Sequence, residues 1–152
     1  MNYSYIGVML DETPNEIALT FKITGCQLAC PGCQAAEFWG EGTGEVLTQD
    51  IFFQNLKKYK GSASAVLFMG GEWHEGELIG KLRIAKLMGY KTILYTGLEK
   101  KNLSSELLDV LDYLKYGPYN EEAGPITSKT TNQVYENLHT GESMNHYFIK
   151  SI

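Results

Sequence analysis

The sequence predicts an α/β fold whose mostly parallel sheet is curved into a partial, open (β/α) barrel. Three observations carry this. Strand-like and helix-like segments alternate along the chain, with helix-length connections between successive strands, as right-handed βαβ units require. The chain has 152 residues. That length buries roughly 68–70% of the unfolded surface in one core, yet falls well short of the ~250 residues of a closed eight-fold barrel. Finally, all three cysteines, Cys26, Cys30 and Cys33, lie in one short loop directly after a predicted strand, where parallel α/β folds gather their ligands. A single domain over residues 1–152 follows.

Each element has its own signal. Residues 17–23 alternate Ile17, Leu19, Phe21 and Ile23 with Ala18, Thr20 and Lys22, a period of two that predicts a strand with one wetter face. It runs into Thr24-Gly25-Cys26. Residues 48–58 read as a helix with Thr48 as N-cap and Ile51, Phe52 and Leu56 on the packed side, ended by Gly61-Ser62. Residues 65–69 form a compact apolar run closed by Gly70-Gly71, as for a strand buried on both faces. Residues 75–88 place Leu78, Leu82 and Ala85 at helical spacing, with Glu75 and Glu77 early, Lys81, Arg83 and Lys86 late, and Gly89 as the stop. A third strand over 91–96 ends at Gly97, a third helix spans 104–111, and a fourth strand spans 113–116. Residues 117–132 are rich in Gly, Pro, Thr, Ser and Asn and read as a loop, and 133–152 add a short strand or hairpin.

Thirteen basic residues against eighteen acidic ones give a net charge of −5. No positive field draws the chain to nucleic acid or anionic lipid. No run approaches the ~18 apolar residues of a membrane span. Residues 1–10 lack a basic region followed by an apolar segment, and three closely spaced cysteines suit a reducing compartment, so a cytoplasmic protein without nucleic-acid or membrane partners is expected.

The cysteine loop, Cys26-Gln-Leu-Ala-Cys30-Pro-Gly-Cys33, has the spacing C-x3-C-x2-C. Three thiolates can wrap one small inorganic core, and Gly25 and Gly32 let the backbone approach it. A structural zinc site closes its coordination with four protein ligands, whereas a [4Fe–4S] cluster held by three leaves one iron open. A Cys3His zinc site using His74, His139 or His146 is the alternative. No acid–base pair or nucleophile triad stands out elsewhere, so no catalytic side chain is assigned.

This loop resembles that of the radical S-adenosylmethionine (SAM) superfamily, whose fold is a partial (β/α) barrel. The resemblance implies that Cys26, Cys30 and Cys33 ligate a [4Fe–4S] cluster whose open iron chelates the amino and carboxylate groups of SAM. Phe68-Met69-Gly70-Gly71-Glu72 likewise resembles the superfamily's Gly-Gly-Glu element, which receives the SAM amino group.

The chain as a whole is similar to anaerobic (class III) ribonucleotide reductase activating proteins, which are short radical SAM enzymes. Cys30-Pro31-Gly32-Cys33 followed by Trp39, Leu94-Tyr95-Thr96-Gly97, Gly117-Pro118-Tyr119 and Thr130-Thr131-Asn132-Gln133 carry the match. Trp73 stands where relatives often have Pro, Tyr116 where Asp commonly precedes Gly-Pro, and Val134 where Arg is usual. The resemblance places Gly32, Cys33, Gln34 and Trp39 at the cofactor, together with Gly70, Gly71, Glu72 and Thr96. It implies reductive cleavage of SAM and a glycyl radical formed on the reductase. Flavodoxin or a similar low-potential donor would supply the electron, and a homodimer is compatible with the pattern. The wetter face of the first strand, Ala18, Thr20 and Lys22, is expected to line a groove for the reductase's glycine loop, with Lys22 a candidate to hold an anion. A small-molecule radical SAM tailoring enzyme and a non-enzymatic Fe–S or zinc module are the rival readings.

Overall fold

The computed structural model describes residues 1–10, 12–25, 44–118, 122–124, 126 and 131–148. Within them a parallel core is built from β2 (Ala18–Ile23), β4 (Ala65–Met69), β5 (Lys91–Tyr95) and β6 (Tyr113–Tyr116). Helices α1 (Gln49–Lys58), α2 (Glu75–Leu87) and α3 (Ser105–Asp109) connect these strands. On one flank β1 (Asn2–Met9) pairs antiparallel with β2 and β3 (Glu45–Val46) with β1. On the other, β7 (Val134–Asn137) and β8 (Glu142–Ser143) continue antiparallel from β6. The full order is β3-β1-β2-β4-β5-β6-β7-β8. Strand–helix alternation therefore accounts for the parallel centre, and the flanking strands make the sheet mixed.

Local chemistry explains the helix boundaries. The Thr48 hydroxyl accepts from the Ile51 N–H at 3.1 Å and starts α1, whose Phe52 and Leu56 are buried. Ser104 caps α3 in the same way through the Leu107 N–H, also at 3.1 Å. That helix is shorter than the 104–111 pattern suggests, because Val110 and Leu111 turn inward to meet the core. Gly89, at φ 90°, follows α2 and allows the chain to reverse into β5.

Two apolar layers sandwich the sheet. On the helix side Phe21, Phe52 and Phe68 form a triad with ring centroids 5.1–5.8 Å apart. Each of these fully buried rings contributes on the order of 1.5–3 kcal/mol by leaving water. On the opposite side Ala18, Leu67, Ile93 and Tyr95 are covered by Ile126, Tyr135 and Met144. This overturns the expectation of a wetter face on β2. Ala18 and Thr20 are fully buried, and the Thr20 hydroxyl donates to the Ala18 carbonyl at 3.2 Å. Alternation reports side-chain polarity, not what the fold lays over it, and a threonine whose hydroxyl is satisfied by backbone costs little to bury. Lys22 is half-buried, with Nζ 5.3 Å from the Tyr5 ring centroid.

Candidate functional site

The parallel register sets Lys22, Met69, Tyr95 and Lys115 in one row across the four central strands. The next residues of each strand therefore emerge at a common carboxyl edge: Ile23-Thr24-Gly25, Gly70-Gly71-Glu72, Thr96-Gly97 and Gly117. Thr24 is buried, and its N–H donates to the Asn2 carbonyl at 2.9 Å, fixing the exit of β2. Gly25, at φ 95°, ends that exit, and the cysteine loop begins at the next residue.

After β4 the chain turns through two glycines at φ 86° and 108°, a left-handed region that disfavours side chains. At Gly70 space is also limiting, since a Cβ would stand 2.7 Å from Trp73 Cη2. The Gly70 N–H donates to the Tyr95 carbonyl, and the His74 N–H to the Gly71 carbonyl, both at 2.9 Å. The second bond closes a 3-10 turn, Glu72–His74. Glu72 is thereby held at the edge facing the end of β5.

There the buried Thr96 hydroxyl donates to Glu72 Oε1 at 2.8 Å and accepts from the Leu98 N–H at 3.1 Å. Glu72 Oε2 is buried and, among the described residues, without a partner. Burial pushes the Glu72 carboxyl above its ordinary range, against the opposing effect of its own backbone N–H and of Thr96. One oxygen of the carboxylate is anchored and the other is withdrawn from water with nothing to accept from. Such a group suits a cationic donor such as an ammonium.

Two of the predicted motif segments also meet at this edge. The Asn132 side-chain amide donates to the Pro118 carbonyl at 2.8 Å, and the Gly117 N–H donates to the Leu98 carbonyl at 2.9 Å. The Asn-Gln segment thus braces the Gly-Pro turn, which is tied in turn to the loop following Thr96. Tyr95 belongs elsewhere: its ring sits in the apolar layer beside Tyr135, with centroids 6.0 Å apart, and its hydroxyl donates to the Glu12 carbonyl.

Cys26, Cys30, Gly32, Cys33, Gln34 and Trp39 lie outside the described residues, as do Tyr119 and Thr130. Among the described residues no group of three His, Cys, Asp or Glu side chains converges as a metal site. The three histidines are dispersed. His139 bonds Asp112 near the start of β6, His146 packs on Tyr147 with centroids 4.2 Å apart, and His74 follows Trp73.

Residues 17–139 match the family model described as a 4Fe-4S single cluster domain. The chain belongs to that family. This single-cluster domain runs from the first residue before β2 to beyond β7, so the cysteine loop, the glycine pair and Thr96 all fall within it. It identifies the chain as an iron–sulfur protein, and the donor set fits, since thiolates are the usual ligands of such clusters. No curated protein matches the chain. Among the described residues no helix is long and apolar enough to cross a membrane.

One neighbour of the glycine pair carries no role in the sequence reading. Trp73 is noted there only as a departure from a pattern, yet its ring rests against Gly70 and its indole nitrogen is buried without a partner among the described residues. A bulky residue two positions after a glycine pair was the available signal.

Proposed function

We propose that this single-cluster protein is a radical SAM activase that generates a glycyl radical on an anaerobic ribonucleotide reductase. The observation that carries the reading is the Thr96–Glu72 hydrogen bond, which joins the ends of β5 and β4 at the edge where the cysteine loop departs. When bound, a [4Fe–4S] cluster and SAM supply the one-electron chemistry that removes hydrogen from a glycine Cα.

The chain's own residues bind and orient. Cys26, Cys30 and Cys33 would hold the cluster, leaving one iron for SAM. Gly70 and Gly71 let backbone approach the cofactor, and Glu72 Oε2 would accept from its amino group. Thr96, whose hydroxyl is engaged on both sides, is a positioning residue that keeps Glu72 aimed. Burial there excludes water that would otherwise compete for the carboxylate. A partial, open barrel of radical SAM type is part of the same proposal, supported by the parallel core. So is a low-potential donor such as flavodoxin.

The test is anaerobic reconstitution with iron and sulfide, followed by electron paramagnetic resonance with and without SAM. A [4Fe–4S] signal perturbed by SAM is expected, and a glycyl doublet after mixing with a reductase. A signal indifferent to SAM would overturn the radical reading. SAM cleavage with no doublet on any glycyl-radical protein would redirect it to a small-molecule substrate. Cys30→Ala should lose iron and SAM cleavage while far-ultraviolet circular dichroism stays unchanged.

A further inference from the structure

The two ends of the sheet are finished differently. An edge strand presents unpaired backbone N–H and C=O groups, and native proteins blunt such edges by keeping them short or charged. At one end β8 is two residues long and carries Glu142. At the other, β1 is eight residues long, and β3 covers its outer side only at Asn2 and Tyr3. Among the described residues no strand pairs with that side from Ser4 to Met9.

This open stretch carries none of the blunting devices. Residues 1–10 contain no charged side chain. The register shift against β2 falls between Tyr3 and Tyr5, where β3 ends, and from Tyr5 opposite Lys22 to Met9 opposite Ala18 the pairing is unbroken. Gly7 lets the Tyr5 ring lie along the strand, with Tyr5 Cζ 2.7 Å from where a Cβ would stand and Lys22 Nζ 5.3 Å from the ring centroid. Apolar surface also collects here. Of the seven large apolar side chains exposed among the described residues, four lie on this flank: Val46 of β3, Tyr5 of β1, Leu10 just after β1 and Ile17 just before β2.

We infer that this edge pairs with the same edge of a second copy, antiparallel about a two-fold axis beside Gly7, to give one continuous sheet through both subunits. In such an isologous contact the same patch meets itself, so a charge near the axis would face its own copy. A neutral stretch escapes that repulsion, whereas an edge built for a charged peptide would carry the opposite charge. With the axis at Gly7, Tyr5 falls opposite Met9 of the partner subunit and Ile6 opposite Val8 of the partner subunit. Five paired residues make a contact small beside the ~1,000 Å² of a specific interface, and Leu10, Ile17 and Val46 widen it. Because β1 and its copy run antiparallel, the two carboxyl edges lie on opposite sides of the joined sheet, and both stay open to a protein substrate.

The test is sedimentation equilibrium of the anaerobically reconstituted protein across the micromolar range, with amide hydrogen exchange followed at low and high protein concentration. Twice the chain mass is expected, with the outward amides of residues 5–9 exchanging more slowly at the higher concentration. A single-chain mass throughout would overturn the inference, as would a dimer in which those amides exchange at an unchanged rate. Val8→Lys sets a charge one residue from the axis and should raise the dimer dissociation constant roughly tenfold or more. An unchanged constant, in a variant whose circular dichroism shows it folded, would refute the pairing; if the variant does not fold, exchange in the unaltered protein decides alone. Amides that slow only on adding an anaerobic reductase would give the edge to that partner and overturn self-pairing. None of these readouts depends on SAM, so they stand apart from the proposed activity.

Discussion

The sheet has a carboxylate withdrawn from solvent near each of its two edges, and the two are held in opposite ways. Near the amino-terminal edge, Asp112 Oδ2 accepts from the Thr92 N–H at 2.9 Å, beside the Thr92 hydroxyl, which donates to the Val110 carbonyl at 2.6 Å. Asp112 Oδ1 meets Lys86 Nζ at 3.2 Å and His139 Nε2 at 2.5 Å. Burial pushes this carboxyl up, but the bonds from His139, the Thr92 backbone and Lys86 outweigh it and hold the group below its ordinary range. At the carboxyl-terminal edge Glu72 has Thr96 on one oxygen and, among the described residues, nothing on the other, and burial wins. Similar chemistry in one sheet thus gives a structural clamp where both oxygens are engaged and, where one oxygen is kept back, a carboxylate able to take a donor. Satisfaction, more than burial, separates the two.

Substitutions at four residues would break or sharpen this contrast. The largest effect is expected for Asp112→Ala, which strands Lys86 and the Thr92 N–H and should cost roughly 3 kcal/mol in urea unfolding. Because the native carboxyl ionises below the ordinary aspartate range, its stabilisation is complete above that range and is lost as pH falls from there through the lower native value, so Asp112→Asn should lose that acid limb. Gly70→Ala comes next. It forces a side chain into left-handed backbone against Trp73, for about 1–3 kcal/mol, and should also weaken SAM binding.

Glu72→Gln should change stability by less than about 1 kcal/mol, since a neutral amide replaces a charge that burial disfavours. The raised carboxyl makes wild-type stability fall as pH rises from the unfolded glutamate range to the folded one. The glutamine variant should lack that decline and lose SAM affinity. If instead it destabilised as much as the Asp112 variants, Glu72 would be a clamp and the contrast would collapse. The smallest effect is expected for His139→Ala. Its side chain is 62% exposed, so water screens the Asp112 contact and the loss should be about 0.5 kcal/mol or less.

The residues of the carboxyl edge were legible because they are written as contiguous strings: a glycine pair and an acid after one apolar run, Thr-Gly after another. The clamp was not legible. Thr92, Asp112 and His139 are single polar residues separated by 20 and 27 positions, and no period or spacing links them. Strand β1 was also missed. Its residues are half-buried or exposed throughout and Gly7 interrupts them, so they carry no clean alternation and form a strand because β2 offers an edge. Thr20 was misread for the converse reason, being polar by composition yet covered by a layer contributed from residues a hundred positions away.

By itself the sequence determined the alternation of strand and helix in the parallel core, the Thr48 cap, the placement of three cysteines in one loop and the glycine pair with Glu72. These depend on neighbours a few residues apart, where side-chain spacing and backbone conformation are coupled directly. Only the tertiary structure decided that Thr96 reaches Glu72, that the far face of the sheet is filled, and that Glu72 Oε2 and Trp73 Nε1 are buried without a partner among the described residues. Such facts depend on which distant segments exclude water from a given atom, and that is fixed when the strands align.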